Sequence, residues 1–392
     1  MKKSFSAHYI FTNTGPPLKK GIVTVDDDGT ILKIEDTGGK LIERRGVEFH
    51  NGVIVPGFVN CHAHLELSYL KGQIAGKKGL GQFLKYLNEL RDSIITDKVI
   101  PIIAADKEMH DEGIVLCADI CNTSDSFGIK KESSITWINL LEVFGIDPQK
   151  AEKRVEGLAS LTREAEKYGL TSFPVPHSVY SVSLPLLRLL KEKSSSNRVT
   201  SVHFMETEGE TELIEKRGGP LMEAYIESGW LVSQPETAAS HSSAVLDEIT
   251  PSGNLILVHN TYAGRETIRA VMNRRNLYWC LCPGSNMYIE NALPPLSLFL
   301  EEGCDIVIGT DSLASNRRLS ILEEMRILQN HSPSVSLEEI VRWATINGAR
   351  ALGEEEAFGK IGPGMRPGLI LLRNIDLLNM KITEESRAKR LI

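Results

Sequence analysis

The run Val55-Pro56-Gly57-Phe58-Val59-Asn60-Cys61-His62-Ala63-His64 decides how this chain is read. Its body is apolar and strand-like, and it ends on two histidines separated by one residue. On a strand, residues two apart face the same side, so both imidazoles can meet one ion. Neutral imidazole is a ligand for zinc, or for iron in the same geometry. A His-x-His pair alone is a weak signal, so its weight depends on what closes the other strand-like runs.

Seven further apolar runs follow: Val115–Thr123, Ile135–Phe144, Thr171–Val175, Thr200–Met205, Leu255–His259, Tyr278–Cys282 and Asp305–Gly309. Segments with helical spacing separate them. Leu80, Phe83, Leu84, Leu87 and Leu90 give Gly81 to Asp92 one apolar face, and Ser336-Leu-Glu-Glu339 opens another helix as a capping box. Asn316 reads as a cap for a helix beginning near Arg318, and Ser194-Ser-Ser196 as a surface turn. Strand and helix alternating eight times predict an α/β fold with a TIM-like (β/α)8 barrel, whose catalytic groups sit at the C-terminal strand ends. A long doubly wound sheet is the alternative. His203 closes the fifth run, His259 the sixth, and Asp311 follows the eighth, so the polar residues with ligand chemistry gather at one end of the predicted strands.

The two ends of the chain have another rhythm. Gly21-Ile-Val-Thr-Val25, then Asp26-Asp27-Asp28-Gly29, then Ile31 to Ile34 predict a hairpin. Near the other end, Gly362-Pro363-Gly364 and Pro367-Gly368 precede the strand-like run Leu369 to Leu372. Residues 1–54 and 354–392 are therefore expected to form a composite β-sandwich beside a barrel of residues 55–353.

Composition excludes several classes. The net charge of -7 comes from interspersed charges without a clustered basic face, which argues against nucleic acid as a partner. No apolar stretch is long enough for a membrane helix, and Ser4 to Pro17 lacks the continuous apolar region of a secretory signal. Cys117, Cys121, Cys280, Cys282 and Cys304 fall in apolar runs, which fits a reduced, cytoplasmic setting better than disulfides or a cysteine zinc knot.

Taken together, Pro56 to His64, Pro176-His177-Ser178-Val179-Tyr180-Ser181, His203-Phe204-Met205-Glu206-Thr207, Val258-His259, Gly309-Thr310-Asp311-Ser312 and Gly359 to Gly364 resemble the amidohydrolase superfamily, in particular its purine, pterin and cytosine deaminase-like branch. The likeness spans nearly the whole chain in the expected order. His-Leu-Glu-Leu-Ser at 64–68 and Asp311-Ser-Leu-Ala-Ser-Asn316 are also similar to strings in aminodeoxyfutalosine deaminases. The resemblance implies that His62, His64, His203 and Asp311 hold one divalent metal, zinc or iron. It implies that Glu206 moves a proton, Asp311 also accepts one, His259 orients the attacking water or polarises the carbon under attack, and His177 contacts a small heterocyclic substrate. It allows a homo-oligomer. Lysine is missing from the ends of the third and fourth runs, where Glu142 and His177 stand, so one metal is expected rather than two. Glu66 and Glu142 read equally as substrate contacts or as buried structural carboxylates. His8, His50, His110, His241 and His331 fit no strand-end pattern. The expected activity is removal of an amino group from a nitrogen heterocycle, with amide or chloride hydrolysis in the same site as the alternative.

Overall fold

Apolar alternation in the first fifty residues produces β1 (Lys3–Ile10), β2 (Leu18–Lys19), β3 (Ile22–Val25), β4 (Ile31–Glu35) and β5 (Val47–Pro56). The turn between β3 and β4 is held by Asp26, whose carboxylate accepts from the Thr30 amide at 2.9 Å, with Gly29 at φ +87°. In this computed structural model, which describes residues 2–93, 97–230, 242–249 and 252–392, eight parallel-paired strands follow. They are β6 (Phe58–Ala63), β7 (Ile114–Cys121), β8 (Thr136–Val143), β9 (Ser172–Pro176), β10 (Val199–Phe204), β11 (Asn254–His259), β12 (Leu277–Leu281) and β13 (Ile306–Ile308). The chain closes with β14 (Leu369–Arg373) and β15 (Arg387–Arg390). Among the described residues no helix is long and apolar enough to cross a membrane. His241 lies outside them.

Strands from both termini pair in one seven-stranded sheet, in the order β15-β14-β5-β1-β3-β4 with β2 added on β1. The expectation of a sandwich thus meets a single registered sheet. Its own apolar cluster combines Phe5, Ile10, Val23 and Ile31 with Ile361, Leu369 and Leu371, so residues more than three hundred positions apart share one core. The expected first strand is split. Gly57 marks the break, because a Cβ there would lie 2.4 Å from Val115 Cγ1 and 2.5 Å from the Pro367 carbonyl. Its amide donates to Pro367 in the terminal sheet, while the next amide, of Phe58, donates to Gly113 beside β7. The chain therefore changes sheets at the one residue small enough for the crossing.

The eight parallel strands register as two four-stranded sheets, β6-β7-β8-β9 and β10-β11-β12-β13, rather than as one continuous ring. Single parallel bridges join them at both seams, Ser178 to His203 and Ala63 to Asp311. Pairing is brief at the second seam because β13 is three residues long and the chain turns at Asp311, φ +58°. One buried cluster takes side chains from all eight strands, among them Val59, Ala118, Leu140, Val175, Val199, Val258, Cys280 and Val307. The opposite faces pack the surrounding helices; in the helix Gly79–Ser93, which packs against Pro220–Glu227, Leu80, Phe83 and Leu87 are buried as their spacing predicts. All six cysteines are free; Cys282 begins a helix and Cys304 precedes β13, so these two lie outside strands.

Candidate active site

His62 lies within β6 and His64 immediately after it; His203 is the penultimate residue of β10, and His259 the last of β11. Parallel strands place all their C-terminal ends together, so distant residues converge. The Nε2 atoms of His62 and His64 are 3.2 Å apart. Asp311 Oδ1 is 3.4 Å from His64 Nε2 and 3.8 Å from His62 Nε2. His203 lies against them, its ring 4.9 Å from that of His62. Ligand atoms of His62, His64 and His203 all fall within 4.8 Å of one another.

These residues fit a divalent ion. With zinc–nitrogen bonds of about 2.0–2.1 Å, tetrahedral ligands stand about 3.3 Å apart, close to the separation of the paired histidines. Two of the three imidazoles are also held in the neutral state that ligation requires. Burial, reinforced by neighbouring imidazoles, holds His62 well below the ordinary histidine range. Burial brings His64 down to about 4 against the pull of Asp311 and Glu142. His203 moves the other way: burial lowers it, but Glu206, Glu142 and its bond to the His177 carbonyl outweigh that. That carbonyl can only accept, so His203 Nδ1 donates to it at 2.6 Å, which leaves Nε2 as the nitrogen that could ligate an ion. Burial raises Asp311, yet His64, His259 and two serine hydroxyls bring it to about 2, leaving a carboxylate. Glu142, His177 and His203 form a second cluster of ligand type. With His203 Nδ1 committed to a carbonyl, that cluster lacks the free lone pair a second ion would need.

The remaining groups face the same space. Glu206 stands two residues beyond β10; its Oε1 is 3.5 Å from His259 Nε2 and its Oε2 accepts from the Tyr180 hydroxyl at 2.6 Å. His259 Nδ1 is 2.8 Å from Asn286 Oδ1, and Ser285 and Ser315 donate to Asp311 Oδ2 at 2.5 and 2.6 Å. Met205, His259 and Asp311 all have positive φ, at 49°, 75° and 58°. Left-handed backbone at non-glycine residues is strained, and its concentration here is what an overdetermined site produces. Sequence reasoning gave no role to Tyr180, Ser285, Asn286 or Ser315. Tyr180 lay inside a quoted motif, and Pro283-Gly284 directly after the seventh run was the available sign that a helix starts at the site.

A cavity opens above these groups, lined by His64, Glu142, His177, His203, Glu206, His259 and Asp311. Its outer wall is apolar: Leu80, Phe83, Leu84 and Leu87 face Tyr225 and Trp230. An apolar chamber with a few convergent polar groups is the usual form of a small-molecule site. Glu66 is outside this lining. Its carboxylate accepts from the amides of Asn122 and Thr123 at 3.1 and 2.9 Å, which fixes the loop after β7. Asn122 in turn donates to Glu142 Oε2 at 2.8 Å, leaving the buried Oε1 of Glu142 without a partner. Asn316 does not cap a helix. The helix Ile321–His331 starts at Ser320, and Asn316 turns inward to Thr310 and Glu324 because buried acceptors there need a donor. A second cavity shares Arg91, Asn122, Glu142 and Phe144 with the first and adds Lys150, Lys153 and Arg154.

Fold and site thus define a hydrolase-like α/β protein with a histidine-rich metal centre at the ends of parallel strands. The sequence pattern of the amidohydrolase family matches residues 53–389, and the chain belongs to that family. The 5-methylthioadenosine/S-adenosylhomocysteine deaminase of Pyrococcus furiosus is 27% identical over 92% of this chain and 87% of its own length. Among solved structures, Helicobacter pylori aminofutalosine deaminase in complex with methylthio-coformycin has a TM-score of 0.81 at 22% identity, covering 100% of both chains. A zinc-bound adenosine deaminase from Xanthomonas campestris has a TM-score of 0.70 at 18% identity, covering 97% of this chain and 87% of that one.

Proposed function

We propose that this chain is a metal-dependent aminohydrolase that removes an amino group from an adenine-like heterocycle and releases ammonia. The observation that carries the reading is the convergence of His62, His64, His203 and Asp311, with Glu206 and His259 beside them, under a cavity with an apolar outer wall. His62, His64, His203 and Asp311 would hold one divalent ion, zinc or iron. Such an ion, when bound, lowers the pKa of a coordinated water toward neutrality.

Every other step belongs to side chains. Tyr180 fixes Glu206 Oε2, so Oε1 is the atom that takes one proton from water and hands it to the ring nitrogen; a second proton, from the hydroxyl left on the carbon, goes to the amino group as the C–N bond breaks and ammonia departs. His259, with Nδ1 held by Asn286, presents Nε2 to the same water. Asp311, acceptor of two serine hydroxyls, is placed to take a proton on its other oxygen. His177, with Nδ1 3.0 Å from the Ser181 hydroxyl, and Glu142, with a free buried oxygen, contact the heterocycle. Glu66 acts on substrate through the loop that carries Asn122 and through Arg91, which lies 3.7 Å from its carboxylate and lines both cavities.

The adjoining cavity narrows the substrate. Lys153 and Arg154 have no acidic partner among the described residues, and the Arg154 guanidinium lies 5.2 Å from the centre of the Phe144 ring that lines both cavities. That placement favours an adenine nucleoside with an anionic arm over a free base. The names of the relatives point the same way, to methylthioadenosine, S-adenosylhomocysteine and aminofutalosine compounds. We extend the proposal to architecture: the eight parallel strands form a (β/α)8 barrel of residues 55–353, supported by the seam bridges and the shared interior cluster, beside a composite β-domain of 1–54 with 354–392 built on one sheet. Six free cysteines, five of them buried, favour the cytoplasm.

Ammonia release from the zinc-loaded protein tests the function, across methylthioadenosine, S-adenosylhomocysteine, aminodeoxyfutalosine, free aminopurines, pterins and cytosine. Turnover is expected on one or more adenine nucleosides, fastest on one bearing a carboxylate. No ammonia from any amino heterocycle, with amide or chloride released instead from other substrates, would replace deamination by the other hydrolytic reading.

A further inference from the structure

We propose that Glu324 and Asn316 are positioning residues for the metal centre, acting from behind through the start of the helix Pro283–Ile289. The inference rests on the aminohydrolase reading and goes beyond it to the groups that aim its side chains.

Two consecutive residues at that helix start orient two different groups of the site. Ser285 Oγ donates to Asp311 Oδ2 at 2.5 Å, and Asn286 Oδ1 stands 2.8 Å from His259 Nδ1. Asn286 Nδ2 also lies 3.5 Å from the His259 carbonyl, which sets the amide's orientation and leaves Oδ1 as the acceptor. A helix of two turns is too short to hold its own start rigidly, so its position must come from tertiary contacts. The contact is the Glu324 carboxylate: Oε2 accepts from the Gly284 amide at 2.7 Å and Oε1 accepts from Asn316 Nδ2 at 2.7 Å. Asn316 Nδ2 donates as well to the carbonyl of Thr310, the residue before Asp311, at 2.9 Å, and its Oδ1 accepts from the Arg317 amide at 2.8 Å. Every polar atom of the Asn316 side chain is therefore used, and the pair grips both the helix start and the strand end that bears Asp311. The fit is tight. A Cβ on Gly284 would lie 2.6 Å from Glu324 Oε1 and 2.7 Å from Asn316 Nδ2. Glu324 is buried and has no cationic partner among the described residues, so a simple ion-pair role does not account for it.

Glu324→Gln breaks the clamp with little change in shape. One oxygen can still accept from Gly284, but the new amide nitrogen faces Asn316 Nδ2, donor against donor, and Asn316 cannot flip without losing Thr310 and Arg317. Asn316→Ala removes the other half at a partly exposed position and keeps the question open to experiment if the first variant does not fold. Two readouts are taken on zinc-loaded parent and variants: release of zinc to a chelator, and kcat and KM on the substrate found active above. Zinc release should quicken, or kcat fall, by roughly 10–100-fold, with KM within about twofold of the parent. Either effect supports the clamp. Zinc release reports on it even if the parent deaminates nothing, so failure of the functional reading is distinguishable. A change confined to KM or to melting temperature, with zinc release and kcat as in the parent, would overturn the proposal.

Discussion

Two buried polar clusters lie beside the parallel strands, one built on β7 and β8 and the other at the ends of β6, β8 and β11, and they differ in what they leave undone. In the first, Lys130 pairs with Asp119 and donates to Asn139 Oδ1 at 2.7 Å, near Cys121 and over the Trp137 ring. Asp119 also accepts from the Leu65 amide at 2.7 Å, so charge and hydrogen bonds are satisfied within a closed pocket of protein. In the second, His259 Nε2 and Glu142 Oε1 are buried without hydrogen-bond partners, and both residues line a cavity. Buried polar atoms are normally paired, so unpaired ones that converge beneath an opening mark a place for a ligand. The first cluster pins the turn that carries His64; the second uses what is pinned. Burial and charge alone would not have separated them.

Substitutions can break this contrast. The largest effect is expected from His62→Ala, which should leave almost no zinc on the purified protein and no turnover, because an incomplete ligand set loses its ion; zinc per chain by elemental analysis is the check. Glu206→Gln should keep its zinc and lower kcat by about 10²–10⁴-fold, the usual span for a lost proton-transfer group. Equal kcat in variant and parent would remove Glu206 from the reaction. In the first cluster, Lys130→Met should lower stability by about 3–5 kcal/mol in chemical denaturation, since it strands a buried carboxylate, while zinc per folded chain stays as in the parent. Adding Asp119→Asn should recover much of that loss, because the amide oxygen can still accept from Leu65 and no buried charge remains. Smallest is Arg154→Ala, expected to raise KM roughly tenfold for a substrate with an anionic arm and to leave a neutral nucleoside unaffected, in line with about 1.5 kcal/mol for a charged hydrogen bond. An equal change for both substrates would detach the basic cavity from recognition.

Much of this was legible beforehand where chemistry and period coincide. Strand-end histidines are conspicuous because histidine is uncommon in apolar runs, and all eight runs became strands within a few residues of their expected limits. The helix over Gly79–Ser93 and the Ser336 cap, which accepts from the Glu339 amide at 3.1 Å, are local features read from local spacing. What was misread depended on distant neighbours. Asn316 looked like a cap because Asn often is one, but Thr310 and Glu324 offered better acceptors. Glu66 and Glu142, equivalent on paper, were separated by where the loop after β7 folds: it takes up one carboxylate and leaves an oxygen of the other free.

By itself the sequence determined the alternation of strands and helices and the identity of the groups with ligand and proton chemistry, since both follow from side-chain type and short-range period. It also determined that these groups share one end of their strands, because parallel pairing leaves them nowhere else to go. Tertiary structure alone decided which atoms are spoken for: that Tyr180 takes one oxygen of Glu206, that His203 gives Nδ1 to a carbonyl, and that Ser285 and Asn286 reach Asp311 and His259. Hydrogen bonds act over about 3 Å between residues that can be dozens or hundreds of positions apart, and no local pattern encodes that distance.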